Sequence, residues 1–205
     1  MLQVRGVTKA YGPVPLFRDV SFDVPAGTAT ALVGPNGTGK STLLRCVLGT
    51  ERFDDGVASL DGEPLDERDP AVRASVAASI EELSAFAELS VLEHLDLLAC
   101  AHDVERPSAA VDAVLDETGL AAVAHQLPVT LSSGQRQRLA LASCLVRPRR
   151  VLMLDEPEQS LDTDGRAWLA ERLRRETRDG VAVLFACHDG ALIEHVADDV
   201  VRLGT

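Results

Sequence analysis

Residues Gly34 to Thr42 read GPNGTGKST, a full match to the pattern Gly-x-x-x-x-Gly-Lys-[Ser/Thr]. The chemistry of such a loop is the capture of a polyphosphate. Gly37 and Gly39 let the backbone curl so that successive N–H groups turn toward phosphate oxygens. Between the outer glycines, Pro35, Asn36 and Thr38 occupy positions that the pattern leaves open. The helix expected to follow would add the positive end of its dipole. Lys40 is placed to neutralise the β- and γ-phosphates, and the Ser41 hydroxyl suits a Mg²⁺ ion. Basic residues are otherwise almost all arginine, Lys9 being the other lysine, so an ammonium at position 40 stands out. A second candidate lies far along the chain, where Val151 to Glu156 reads VLMLDE. An apolar strand that delivers two acids at its C-terminal end puts them where α/β proteins gather ligand-binding groups. There Asp155 would hold Mg²⁺ through water and Glu156 would polarise an attacking water, since phosphoryl transfer needs positioning and charge compensation more than covalent catalysis.

These groups need strands that end beside one another. The phosphate loop follows the apolar run Ala29–Val33 and precedes a helical pattern, the context its motif requires. Val151–Leu154 and Val181–Ala186 are uninterrupted apolar runs, as expected of strands buried on both faces of a parallel sheet. Between them Leu161, Trp168, Leu169 and Leu173 mark one face of a helix, and strand–helix–strand alternation points to an α/β core. Earlier runs, Leu2–Arg5, Val20–Val24 and Gly56–Leu60, read as short strands, with Asp61-Gly62 a hairpin turn. The middle of the chain is helical. Val91, Leu92, Leu95, Leu98 and Ala99 recur at helical spacing, and Ala109 to Thr118 continues helix up to Gly119.

Composition narrows the partners. The chain has 205 residues, 46% hydrophobic and 25% charged, an ordinary composition for one globular domain. Acidic residues outnumber basic ones by 32 to 20, the reverse of a nucleic-acid-binding surface and a poor match to anionic lipid. No run reads as a membrane helix or a secretory signal, so a cytoplasmic protein without direct membrane insertion is expected. Cys46, Cys100, Cys144 and Cys187 are widely separated and show no metal-ligand spacing with histidine, which predicts reduced, mostly buried thiols.

Leu131 to Gln135 reads LSSGQ and resembles the LSGGQ signature of ABC ATPases, in the same place ahead of the VLMLDE strand. With the two motifs above, in this order, the chain is similar to that family from Leu2 to Leu203. Locally, Ser132-x-x-Gln135 is also a capping box, followed by Leu139, Ala142 and Val146 at helical spacing. In the family the resulting helix N-terminus, here Ser132, Ser133, Gly134 and Gln135, meets the γ-phosphate held by the opposite subunit. Ser133 departs from the usual glycine. Tyr11 resembles the aromatic residue that stacks on adenine. Ser160-Leu161-Asp162 resembles the D-loop, which touches the partner, and His188 the switch histidine that contacts the γ-phosphate. The family's glutamine ahead of the helical lobe has no counterpart between Pro70 and Ser90; Glu81, with Glu82 next, falls at that position as a metal ligand.

The resemblance implies an α/β fold: a RecA-like P-loop core with an N-terminal antiparallel β-subdomain and an inserted α-helical subdomain. Residues 1–82 and 147–205 would form the nucleotide-holding part and residues 83–146 the helical part of a single domain, 1–205. It implies ATP and Mg²⁺ as cofactors, a head-to-tail homodimer or a pairing with a related ATPase chain, and a separate transmembrane permease that the subunit powers from the cytoplasmic face. The compact length and the acidic residue at position 81 point to an exporter. A soluble ABC-type ATPase that serves cofactor assembly is the alternative, and a phosphate-loop kinase would need none of LSSGQ, the SLD segment or His188.

Overall fold

The computed structural model describes residues 1–66, 68–80 and 86–204. In chain order its first elements are β1 (Leu2–Ala10), β2 (Pro15–Val24), β3 (Ala29–Val33), α1 (Lys40–Leu48), β4 (Asp55–Leu60), β5 (Glu63–Pro64), α2 (Pro70–Ser75) and β6 (Val76–Ser79). There follow α3 (Val91–Ala101), α4 (Pro107–Thr118), α5 (Ser133–Leu145), β7 (Val151–Asp155), α6 (Thr163–Arg178), β8 (Ala182–Ala186), α7 (Gly190–Val196) and β9 (Asp199–Arg202).

The first sheet is antiparallel, in the order β2-β1-β4-β5. Leu2, Val4 and Val7 of β1 face inward and their neighbours outward, the alternation of a sheet with one covered face. The β4–β5 hairpin turns at Asp61 and Gly62, both at positive φ (53° and 90°), as a two-residue loop of matching twist requires. β1 and β2 run well beyond the segments their sequences suggest. A register shift between Val4 and Val7, with Gly6 and Asp19 both at positive φ, interrupts the alternation that would have marked them.

The second sheet is parallel throughout, in the order β6-β7-β8-β3-β9. In β7, Val151 and Met153 pack with Leu43, Leu44 and Val47 of α1 and with Leu2 and Val4 of the first sheet. Leu152 and Leu154 point the other way, to Leu169 and Leu173 of α6. β8 divides likewise, Leu184 to one side and Val183 and Phe185 to the other. A period of two with both faces covered is the reason these strands read as unbroken apolar runs. β6 is not marked by the sequence pattern, because two of its four residues, Ala77 and Ala78, carry little strand preference.

The helices between β6 and β7 have a core of their own, in which Val91 and Leu95 of α3 meet Val111 and Leu115 of α4 and Leu139 and Ala142 of α5. α3 begins with a capping box: the Ser90 hydroxyl accepts from the Glu93 N–H at 3.3 Å and Glu93 accepts from the Ser90 N–H at 2.8 Å. α4 stops at Gly119, which takes the left-handed conformation at φ 70°. α5 is held on two sides, since its Leu141 and Cys144 pack in the cluster of Leu152 and Leu154. The sequence periodicity marked only the first of these faces.

A candidate phosphate and metal site

In register, Leu32 of β3 and Asp155 of β7 both pair with Ala186 of β8. The C-terminal ends of three neighbouring strands therefore release the chain side by side, at Gly34, Glu156 and His188. The loop from Gly34 to Gly39 then folds tightly. Gly34, Gly37 and Gly39 have φ of 155°, 81° and 95°, values that favour glycine. Space is short as well: a Cβ on Gly34 would lie 2.5 Å from the Leu203 carbonyl oxygen, and one on Gly39 would lie 2.6 Å from Leu16. Thr38 closes a turn on Pro35, donating from its hydroxyl at 2.9 Å, while Asn36 is exposed. α1 starts at Lys40, which is buried, its Nζ donating to the Gly34 and Pro35 carbonyls at 2.9 and 3.2 Å. Thr42 is buried behind it and accepts from Arg45 at 3.3 Å. The fold thus brings the whole GPNGTGKST segment to a helix N-terminus at the end of a buried strand.

Asp155 comes next to that loop. Burial pushes its carboxyl up, and the neighbouring Ser41 hydroxyl pulls it back toward the ionised form. Its Oδ1 is buried with no hydrogen-bond partner among the described residues. An orphaned carboxylate oxygen beside a hydroxyl is a hard oxygen donor set of the kind Mg²⁺ takes, so these two residues fit that ion. Glu156 is at positive φ (46°) and its two oxygens are both engaged. Oε1 lies 3.3 Å from His188 Nε2, and Oε2 accepts from the Gln159 side chain at 3.1 Å. Glu156 and His188, far apart in sequence, are therefore in contact. Glu81 lies outside the described residues.

A cleft of about 660 Å³ opens from this point, lined by Ser41, Asp155 and Glu156 on one wall and by Ser133, Arg136 and Gln137 of α5 on another. The capping box at the start of α5 is formed: the Gln135 N–H donates to Ser132 Oγ at 3.2 Å and Gln135 Oε1 accepts from the Ser132 N–H at 2.9 Å. Gly134 sits against the segment after β7, for a Cβ there would be 3.0 Å from the Ser160 carbonyl oxygen. Ser160 is exposed at φ 62°, and Asp162 caps α6 by accepting from the Gly165 N–H at 2.8 Å. Tyr11 stands apart, at the end of β1. Its ring is exposed, its hydroxyl donates to Glu51, and Lys9 Nζ lies 5.2 Å from the ring centroid. Sequence reasoning missed Gln137, whose amide donates to the Pro157 carbonyl at 3.1 Å, and also missed Glu158 and Gln159. The last two follow Asp155-Glu156 directly, but a polar turn gives no sign of which side chains it buries.

The fold and its loop define a phosphate-loop protein with a RecA-like parallel sheet. Residues 17–159 match the ABC transporter family, and the chain belongs to it. It is 37% identical to the phosphonates import ATP-binding protein PhnC 1 of Natronomonas pharaonis, over 97% of this chain and 87% of that protein. To the sulfate/thiosulfate import ATP-binding protein CysA of Nocardia farcinica it is 36% identical, over 98% of this chain and 61% of that protein. The chain thus spans less than two thirds of such CysA relatives. A solved ATP-binding subunit of an ABC transporter superposes on 99% of the chain, and on 85% of its own length, with a TM-score of 0.90 at 28% identity.

Proposed function

We propose that this chain binds and hydrolyses ATP, with Mg²⁺, to power a separate membrane-spanning permease. The observation that carries the reading is the convergence of three strand ends: Ser41 and Asp155 line one cleft beside the phosphate loop, and Glu156 meets His188 at 3.3 Å. Lys40 and the N–H groups of residues 34–42 hold the phosphates, with the α1 dipole behind them. Ser41 and Asp155 hold Mg²⁺, which offsets charge on the phosphate oxygens. Glu156 orients and polarises the attacking water, and His188 reaches the γ-phosphate. Tyr11 offers its exposed ring to adenine.

Two copies pack head to tail, so that Ser132, Ser133, Gly134 and Gln135 of one close over the nucleotide of the other, with Ser160 and Asp162 at the contact. Residues 83–146 act as the helical part that presents this segment, and residues 1–82 and 147–205 as the part that holds ATP. No helix among the described residues is long and apolar enough to cross a membrane, which agrees with a subunit that reaches the cytoplasmic face through its permease. Import is favoured over the export that length and Glu81 pointed to. The relatives above are import subunits, and a stretch that covers part of such subunits carries no information in its length.

The test is a Glu156→Gln chain, charged with ATP and used to recover partners from detergent-solubilised membranes of its own cell. The variant should bind ATP, hydrolyse it about 10²–10⁴-fold more slowly, and remain a dimer. Stoichiometric recovery of a multi-span protein supports the reading, and cargo uptake by cells that carry the pair supports import. Recovery of soluble proteins alone would replace it with a soluble ABC-type ATPase.

A further inference from the structure

Glu158 is the anomaly of the turn after β7. It is 7% exposed, although it is charged and lies in a segment whose neighbours Gln159 and Ser160 face solvent. Its Oε1 accepts from the His188 backbone N–H at 3.0 Å, its own carbonyl accepts from the Leu161 N–H at 3.2 Å, and its Oε2 has no partner among the described residues. A buried carboxylate with one neutral donor is costly, and a hydroxyl or apolar side chain could fill the same volume at less cost. What the carboxylate does is visible on the other side of the contact.

β8 ends at Ala186, and the ladder continues one step further, where the Cys187 N–H donates to the Leu32 carbonyl at 3.3 Å. Asp189 belongs to the next element, because its side chain caps α7 by accepting from the Ala191 and Leu192 N–H groups at 3.0 and 3.2 Å. His188 is the residue between sheet and helix. Neither holds its backbone N–H; Glu158 does, through a charge-assisted hydrogen bond. That bond sets the peptide plane from which the imidazole projects, and the imidazole Nε2 then lies 3.3 Å from Glu156 Oε1. Burial first, and the adjacent Glu158 carboxylate second, push the Cys187 thiol up, so the side chain next to His188 stays a neutral filler.

We infer that Glu158 is a positioning residue, which fixes the backbone of His188 so that imidazole and the Glu156 carboxylate address the same γ-phosphate. The inference rests on the ATPase reading of the site. It makes the turn after β7 serve twice, with Glu156 in the chemistry and Glu158 two residues on as the brace for the histidine.

The test uses the full chain with Glu158→Leu, which keeps bulk and removes the acceptor, and Glu158→Gln, whose amide oxygen can still accept. Nucleotide affinity, kcat and KM for ATP are measured alongside the His188 imidazole NMR signal, assigned by loss in His188→Gln. Glu158→Leu should lower kcat about ten- to a hundredfold, the scale of a misplaced catalytic group, with KM little changed and the His188 signal shifted. Glu158→Gln should restore most of kcat and the original signal. If Glu158→Leu misfolds, Glu158→Ala takes its place. An unshifted His188 signal, or equal loss of kcat in the Leu and Gln variants, overturns the inference. A wild-type chain that binds ATP without hydrolysing it would sink the functional reading instead, while the NMR signal still decides the role of Glu158.

Discussion

Ser133 and Gly134 are adjacent, yet the structure asks different things of them. Ser133 is the first residue of α5 and is exposed to the cleft, so its hydroxymethyl group displaces nothing. Gly134 has an ordinary helical backbone but no room, with the Ser160 carbonyl 3.0 Å from where a Cβ would be. The serine that departs from the family's usual signature is thus at the tolerant position of the two. Ser133→Gly should change ATP turnover by less than about tenfold, the span of one neutral hydrogen bond. Gly134→Ser should cost more, because it drives α5 away from the turn that carries Glu156. Steady-state ATPase rates of the two variants, measured side by side, check this; equal effects would show that contact with Ser160 does not matter.

α3 and α5 meet at His94, and this contact gives the helical layer its own pH response. His94 is 3% exposed, with Nε2 3.2 Å from Ser143 Oγ and Nδ1 without a partner among the described residues. Burial lowers its pKa below the usual 6.5. A histidine with a depressed folded pKa binds fewer protons folded than unfolded, so stability is lost as pH falls from 6.5 toward the folded value and levels off below it. His102, also lowered by burial, adds to the same slope. Denaturant midpoints between pH 7.5 and 5.5 should fall less steeply in His94→Leu than in the parent, and identical slopes would assign the effect to other groups. None of this is visible in a lone histidine of a helical pattern. The phosphate loop and the acids of β7 were legible because their chemistry depends on consecutive residues after an apolar run. His188 could be placed because it follows β8. Glu158 could not, since its burial arises when β8 ends beside a turn 30 residues earlier in the chain. The double packing of α5 was hidden for a related reason, because two apolar faces on one helix weaken the periodicity that would mark either of them.

An interior ion network joins α6, the end of α5 and α4, and bears on how these helices stay together. Glu176 of α6 has a side chain 2% exposed and is paired with Arg149, which follows α5, and with Arg172 one turn back on α6. The Arg149 Nε contact is 2.7 Å, and the same guanidinium also donates to the Cys144 and Leu145 carbonyls at 3.2 and 2.9 Å, at the end of α5. Arg172 Nε reaches outward to Glu117 of α4 at 3.4 Å. The network therefore has a dry centre that joins α6 to the end of α5, and a wetter arm to α4, where Glu117 is 31% exposed. The two parts should behave differently. Glu176→Ala takes the shared counter-charge from two guanidiniums, each 10% exposed, and among the described residues leaves Arg172 only its pair with Glu117 and Arg149 none. Breaking a buried pair in this way costs about 3–5 kcal/mol, whereas the more exposed Glu117 arm should be worth no more than about 1 kcal/mol. Urea unfolding of the two variants measures both. A large loss for Glu117→Ala would mean that the arm to α4 is as rigid as the centre, which would leave α4 little freedom to shift against α6 in the proposed closure of a second copy over the nucleotide. A small loss keeps that freedom, with the end of α5 pinned to α6 while α4 can move.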